Sequence, residues 1–189
     1  IKMYFRKAQE IGLSCRYFNS AATQKIKKKY MRPLVYVSVG RSVELSQIIN
    51  VQNLEYDFVY TEGIELIGDN ACKIPIEVEN THDYLNAADY VITKAGWSTV
   101  AEAIYAKKPM LVVNRKHVAE DRTTVDCLTD LDIAIPIDLQ ELNDIDIDIL
   151  LKRVVSKQKN YNKLSLKYSN CSKDIAKCIW DYMTWAKGE

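Results

Sequence analysis

The chain has 189 residues, 26 Lys and Arg against 25 Asp and Glu, and 48% hydrophobic content with six Gly and four Pro. That makeup excludes disordered, collagen-like and low-complexity classes and leaves one domain or a small pair, with chain enough for a sizeable core. The near-neutral total hides an uneven layout: residues 1–33 carry a net +8, 34–150 a net −13 and 151–189 a net +6.

No apolar run approaches the roughly 18 residues that span a bilayer, and the first residues lack a signal-peptide pattern. The five cysteines Cys15, Cys72, Cys127, Cys171 and Cys178 are widely spaced and form no C-x-x-C. We read them as reduced thiols in a cytoplasm. His82 and His117 are too far apart in sequence for a histidine-based metal centre, so no metal is expected. The phosphate loop of ATPases and the G-x-G-x-x-G of dehydrogenases are both missing, which sets those two classes aside. The basic run Lys25, Lys27, Lys28, Lys29 is compatible with peripheral contact to an anionic membrane, or with a solvated connector; nucleic acid is not the expected partner.

In chain order, residues 1–33 read as a helix plus connector without a core of their own, as if they were the end of a preceding domain; the start at Ile1 agrees with that. Residues 34–39 are β-branched and aromatic, follow Pro33 and stop at Gly40, which predicts a buried strand entering a turn. A helix is expected at about 43–52, strands at 56–60 and 74–78, and a short helix through Ala87 capped by the Thr81 hydroxyl. Next come a strand at 89–92, a helix at 97–107, a strand at 110–113, a helix at 120–131 and a strand at 133–137. Helices at 145–158 and 160–186 close the chain. Alternating strands and helices with near-continuously apolar strands predict an α/β fold, a Rossmann-like doubly wound parallel sheet in three layers with C-terminal helices. The expected divisions are 1–33, 34–155 and 156–189.

In such sheets ligands bind beyond the carboxyl ends of the strands, where helix amides point outward. The segment from Asp89 to Val113 supplies a strand, a turn at Gly96, a helix opening on Ser98 and Thr99, and another strand. Gly96 permits close backbone approach, and Ser98 and Thr99 offer hydroxyls and amides to a phosphate. Glu102, a turn further on, has two readings: a carboxylate for a ribose diol, or the far half of a capping box with Thr99.

The stretch Ala88-Asp-x-Val-Ile-x-x-Ala-Gly-x-Ser-Thr-Val-Ala-Glu-Ala, followed by Lys108-Pro109 and an apolar strand, resembles the donor-binding signature of GT-B glycosyltransferases. It is most similar to the family 28 group, which holds the peptidoglycan N-acetylglucosaminyltransferase, the galactolipid synthases and the small subunit of the dolichol-linked N-acetylglucosaminyltransferase. The resemblance covers about residues 34 to 155, the C-terminal Rossmann-like half of such enzymes.

It implies that Glu102 binds the donor ribose, and that Gly96, Ser98 and Thr99 face the phosphates. Gly40, Arg41 and Ser42 match the Gly-rich phosphate loop after the first strand. Arg41 stands where a second Gly is common, so it either blocks close approach or clamps the diphosphate. The loop Glu79, Asn80, Thr81, His82 matches the place that reads uracil, with His82 itself expected at the surface. Arg115, His117, Asp121, Thr123 and Thr124 match the sugar or diphosphate loop, with the two threonines standing where amides are usual.

The implied function is the UDP-sugar-binding half of an inverting glycosyltransferase that passes a hexose or N-acetylhexosamine to an acceptor hydroxyl. No cofactor is required beyond the UDP-linked donor, and the general base is expected from an acceptor-binding N-terminal domain or partner subunit. The alternatives are a non-catalytic nucleotide-binding scaffold, or a standalone donor-binding subunit that needs a partner chain.

Overall fold

The computed structural model describes residues 12–40, 48–115, 118–138, 147–164 and 169–186. Six parallel strands form the central sheet: β1 (Leu34–Ser38), β3 (Asp57–Tyr60), β5 (Ala71–Lys73), β6 (Tyr90–Lys94), β7 (Met110–Asn114) and β8 (Ala134–Asp138), in the order β5-β3-β1-β6-β7-β8. Val37 pairs with Ile92, Thr93 with Val112 and Val113 with Ile137. The two-residue period of a strand divides each one between two cores. Leu34, Tyr36, Val91, Met110 and Val112 face one side, packed on Leu85, Val100, Ile104 and Leu128. Val35, Val37, Ile92, Leu111 and Val113 face the other, packed on Ile49, Leu66, Leu151 and Val154. Both faces being covered is why these strands read as continuous apolar runs.

The first face is covered by α2 (Thr81–Ala87), α3 (Trp97–Tyr105) and α4 (Ala119–Asp130), and the second by α5 (Ile147–Val155) with β2 (Ile48–Asn50) and β4 (Glu65–Ile67). Helices α3 and α4 stop in the same manner. Lys107 and Asp132 take left-handed φ values of 55° and 53°. The next amides, of Lys108 and Ile133, donate back to Ala103 and Leu128 carbonyls at 2.9 and 3.2 Å. That geometry satisfies carbonyls the helix would otherwise leave open and turns the chain into the next strand.

Four secondary-structure expectations from the sequence are corrected. Where a helix was expected at about 43–52, residues 48–50 form β2; positions 43–47 lie outside the described residues. The β-branched Ile48 and Ile49 pair in parallel with β4, and Ile49 and Leu66 turn inward. The strand expected at 74–78 lies instead at 71–73, because Pro75 has no N–H for the ladder; Ile74 makes the last bond, to the Tyr60 carbonyl at 2.8 Å. Thr81 is the first residue of α2, not its cap, since Asn80 holds that position without a side-chain cap bond.

The helix expected over 160–186 is broken into α6 (Gln158–Tyr161) and α7 (Ser172–Ala186). Ahead of α7, Asn170 accepts from Ser172 N at 3.0 Å and bridges to Leu13, local bonding that competes with helix.

Residues 12–33 are built into this body. Asn19 caps α1 (Ser20–Lys27) through its side-chain oxygen, which accepts from Ala21 and Ala22 amides at 3.1 Å. Leu13 and Ile26 are buried in the core that also holds Tyr161. Lys27, from the basic run, pairs with Asp89 at 3.1 Å.

Candidate functional site

The strand order reverses its direction of travel at β1, so the crevice at the carboxyl ends of β1 and β6 is the topological switch point. Gly40 follows β1 with a φ of 70°, a left-handed conformation that favours glycine. Gly96 follows β6 and caps α3 in extended backbone, with no side-chain cap bond. The first intrahelical bond of α3 runs from Val100 N to the Gly96 carbonyl at 3.3 Å. The amides of Trp97, Ser98 and Thr99 therefore have no partner within the helix, at the end where its dipole is positive.

Lys94, the last residue of β6, was not singled out from sequence. Its side chain runs between the two turns: a Cβ added to Gly40 would meet Lys94 Cε and Nζ at 3.2 Å, and one added to Gly96 would meet Cε at 3.1 Å. The pattern Lys-Ala-Gly at the strand end was the available signal. A primary ammonium is thereby brought next to the glycine turns at the head of α3. Beside Gly40 opens a cavity of about 260 Å³, bounded by Ser38, Thr61, Ile74, Ile76 and Thr81. It joins the turn after β1 to the start of α2.

Glu102 lies on α3 with 4% of its surface exposed. The capping-box reading fails, because Thr99 is the third residue of the helix rather than its cap. The carboxylate instead accepts from Arg16, Nε to Oε1 at 2.7 Å and Nη2 to Oε2 at 3.3 Å. Arg16 Nη1 donates to the Glu79 carbonyl at 3.0 Å. Nearby, burial and then the charge of Glu102 push the Cys15 thiol up to about 11.

Glu79 and Asn80 lie just ahead of α2 and Thr81 opens it, but His82 is not at the surface. It is 6% exposed, with Nε2 3.2 Å from the Tyr17 carbonyl and its ring 6.1 Å from Phe18. Phe18 and the Tyr17 carbonyl cover the imidazole, a burial that the polar-looking local sequence concealed.

Beyond β7, Asp121 is fully buried and accepts from Arg115 three times: from its amide at 3.2 Å and from Nε and Nη2 at 2.7 Å each. That carboxylate holds the guanidinium and raises its pKa further. Thr124 is buried, while Thr123 is exposed and donates to the Ala119 carbonyl at 3.2 Å. Arg41, Ser42 and His117 lie outside the described residues. Among the described residues, no group of three or more His, Cys, Asp or Glu side chains is placed to hold a metal ion.

A doubly wound sheet with an amide-bearing helix start at its switch point defines a fold that binds ligands at that edge. Comparison with known proteins agrees: the model of the glycosyltransferase family 28 C-terminal domain matches residues 15–179, and the chain belongs to that family. Its fold is similar to the calicheamicin glycosyltransferase CalG4 (14% identity, TM-score 0.60), over 81% of this chain and 42% of that one. Glycosyltransferase VinC, solved in complex with DTDP, is similar at 15% identity and TM-score 0.58, over 91% and 48%. SsfS6 of Streptomyces sp. SF2575 is similar at 15% and 0.55, over 91% and 47%. The chain thus spans less than half the length of each of these three glycosyltransferases. No curated protein matches it.

Proposed function

We propose that this chain is the donor-binding half of an inverting glycosyltransferase that uses a UDP-linked hexose or N-acetylhexosamine. The observation that carries the reading is the position of Lys94 between Gly40 and Gly96, at the head of α3. The diphosphate lies across the two glycine turns, against the amides of Trp97, Ser98 and Thr99 and beside the Lys94 ammonium. Residues 34–150 total −13, so long-range attraction does not draw in an anion; local donors must hold it. Glu102 accepts the ribose hydroxyls, and Glu79 and Asn80 with Thr81 at the start of α2 border the base. The sugar lies toward Arg115, Thr123 and Thr124. Asp121 acts by holding Arg115 rather than by touching the sugar.

The chemistry is stabilisation of a leaving group. As the glycosidic bond to the β-phosphate breaks, charge grows on the departing diphosphate, and preorganised amides and an ammonium meet it without reorganising; one such donor is worth about 3 kcal/mol elsewhere. The acceptor hydroxyl needs a base, which comes from an N-terminal half or a partner chain. These 189 residues alone therefore bind donor and turn over barely. VinC, similar in fold, was solved in complex with DTDP, which supports a nucleoside diphosphate in this fold. Titrating the chain with UDP, thymidine diphosphate and UDP-N-acetylglucosamine by calorimetry tests the proposal. Saturable binding below millimolar, strongest for the uridine compounds, is expected; failure of all three to bind at millimolar concentration overturns it in favour of a scaffold that kept only the fold.

A further inference from the structure

Helix α3 aims one stripe of side chains at the sheet. Val100, Ala101 and Ile104 lie on it, buried in the core that also holds Tyr36, Val91 and Met110. Trp97 shares the stripe, since 97, 100, 101 and 104 follow the i, i+3, i+4, i+7 spacing of one helix face. Trp97 is nevertheless 40% exposed. An exposed apolar side chain means little by itself. This one differs because the helix turns it toward the sheet at a level where the strands have already ended.

The chain connections fix which end of the site it serves. Helix α2 leads from β5 to β6, whereas α3 leads from β6 to β7. Trp97 is the first residue of α3 and so stands at the carboxyl ends of β6 and β7, not at the head of α2. Lys94 of β6 pairs with Val113 of β7, so Asn114 and Arg115 leave the sheet at this same edge. Helical side chains also lean toward the N-terminus of their helix. At the first position no earlier turn lies beneath them, and the indole extends past the helix head, beside the turn at Gly96.

A pyranose ring suits an indole held in this way. Its hydroxyls crowd the rim, while its faces carry C–H groups whose hydrogens are slightly positive. The face of an aromatic ring is slightly negative, and its apolar area is recovered from water when such a ring covers it.

We propose that the Trp97 side chain is the platform for the transferred sugar: the indole packs against the C–H face of the pyranose carried by the diphosphate, and contributes affinity that the nucleotide alone does not draw on. The inference rests on the donor-site reading above and deepens it. It assigns a side chain at a position that the family-bearing motif leaves open, and it orients the sugar with one ring face on the head of α3.

The test titrates the full chain by calorimetry with UDP, UDP-glucose, UDP-galactose and UDP-N-acetylglucosamine, beside thermal unfolding. Trp97→Ala is expected to weaken the sugar nucleotide that the native chain holds best by about fivefold, the scale of one aromatic contact. Affinity for UDP should change less than about twofold, and the melting temperature should stay in place. Trp97→Phe keeps a smaller aromatic face and is expected to restore most of the loss; it also serves if Trp97→Ala fails to fold. Equal losses for UDP and the sugar nucleotides show that the indole serves the nucleotide or the turn, and overturn the proposal. So does a Trp97→Ala chain that binds all four compounds as the native chain does. In either case the donor reading stands, because UDP still binds the native chain; if the native chain binds none of the four at millimolar concentration, both readings fall.

Discussion

Lys94 packs against Gly96 closely enough that a methyl group on the glycine would lie 3.1 Å from Lys94 Cε. A side chain at position 96 is therefore opposed by the lysine and not by the backbone, whose φ of −75° any residue adopts. Gly96→Ala is expected to push the ammonium away from the turn. Affinity for UDP should fall about three- to tenfold while the melting temperature moves little, as measured by calorimetry beside thermal unfolding; a large loss of stability with affinity retained contradicts it.

Removing the ammonium is the sharper version. Lys94→Met keeps most of the packing stem and deletes the charge. UDP binding should weaken by about 1.5–3 kcal/mol, the range for hydrogen bonds to charged groups. Uridine, which has no phosphate, should bind the variant and the native chain alike. Equal losses for uridine and UDP would place Lys94 away from the diphosphate.

For Glu102→Gln the expectation is a loss of about 1–2 kcal/mol in UDP affinity, because a neutral amide accepts less strongly and one of its ends no longer accepts at all. The variant also gives up an ion pair with Arg16, so stability should drop measurably, unlike the capping-box reading in which the helix start alone would suffer. Unchanged affinity would leave Glu102 with Arg16 as its only partner.

The Arg115–Asp121 pair predicts a stability effect. Asp121 has no exposed surface and accepts three bonds from Arg115. Asp121→Ala removes that buried acceptor from the guanidinium and the amide, and should cost about 3 kcal/mol in denaturant unfolding. Thr123→Ala, at the exposed position beside it, should cost under about 0.5 kcal/mol.

Tyr161 supplies the pH dependence. Its hydroxyl lies 2.5 Å from the Lys108 carbonyl and 3.0 Å from that of Ile133, and burial raises its pKa well above the ordinary 10. A phenol whose folded pKa is raised contributes stability in full below the unfolded value and loses it as pH rises past about 10. The native chain should therefore lose stability steeply between about pH 10 and 11.5. Tyr161→Phe should start about 1–2 kcal/mol lower at neutral pH and decline less steeply. Parallel alkaline curves would remove Tyr161 as the cause, leaving the other tyrosines whose pKa burial raises in the same direction, Tyr30, Tyr36, Tyr56, Tyr60 and Tyr90.

Much of the sheet was legible because its signal is local. The runs around Val35, Val91 and Leu111 are apolar on consecutive positions, and only burial on both faces accounts for that in a strand. The turn at Gly96 and the helix through Glu102 were equally readable, since a strand, a glycine and a helix start follow one another without a gap. Where patterns were short they misled: Ile48 and Ile49 fit a helix or a strand, and only pairing with Leu66 decides between them. Pro75 moved a strand forward by three residues, and Asn170 broke a helix that periodicity alone would have carried through.

The amino-acid order by itself settled the alternation of strands and helices, the family-bearing motif and the amides at the head of α3 that lack a partner within the helix, because each depends on neighbours within one turn or one strand. Folding alone decided what surrounds that motif. Arg16 stands 86 positions from Glu102, and Lys94 reaches Gly40 only because β1 and β6 lie side by side. Charge pairing and close packing act over a few ångströms of space whatever the separation along the chain, so no local pattern in the sequence carries them.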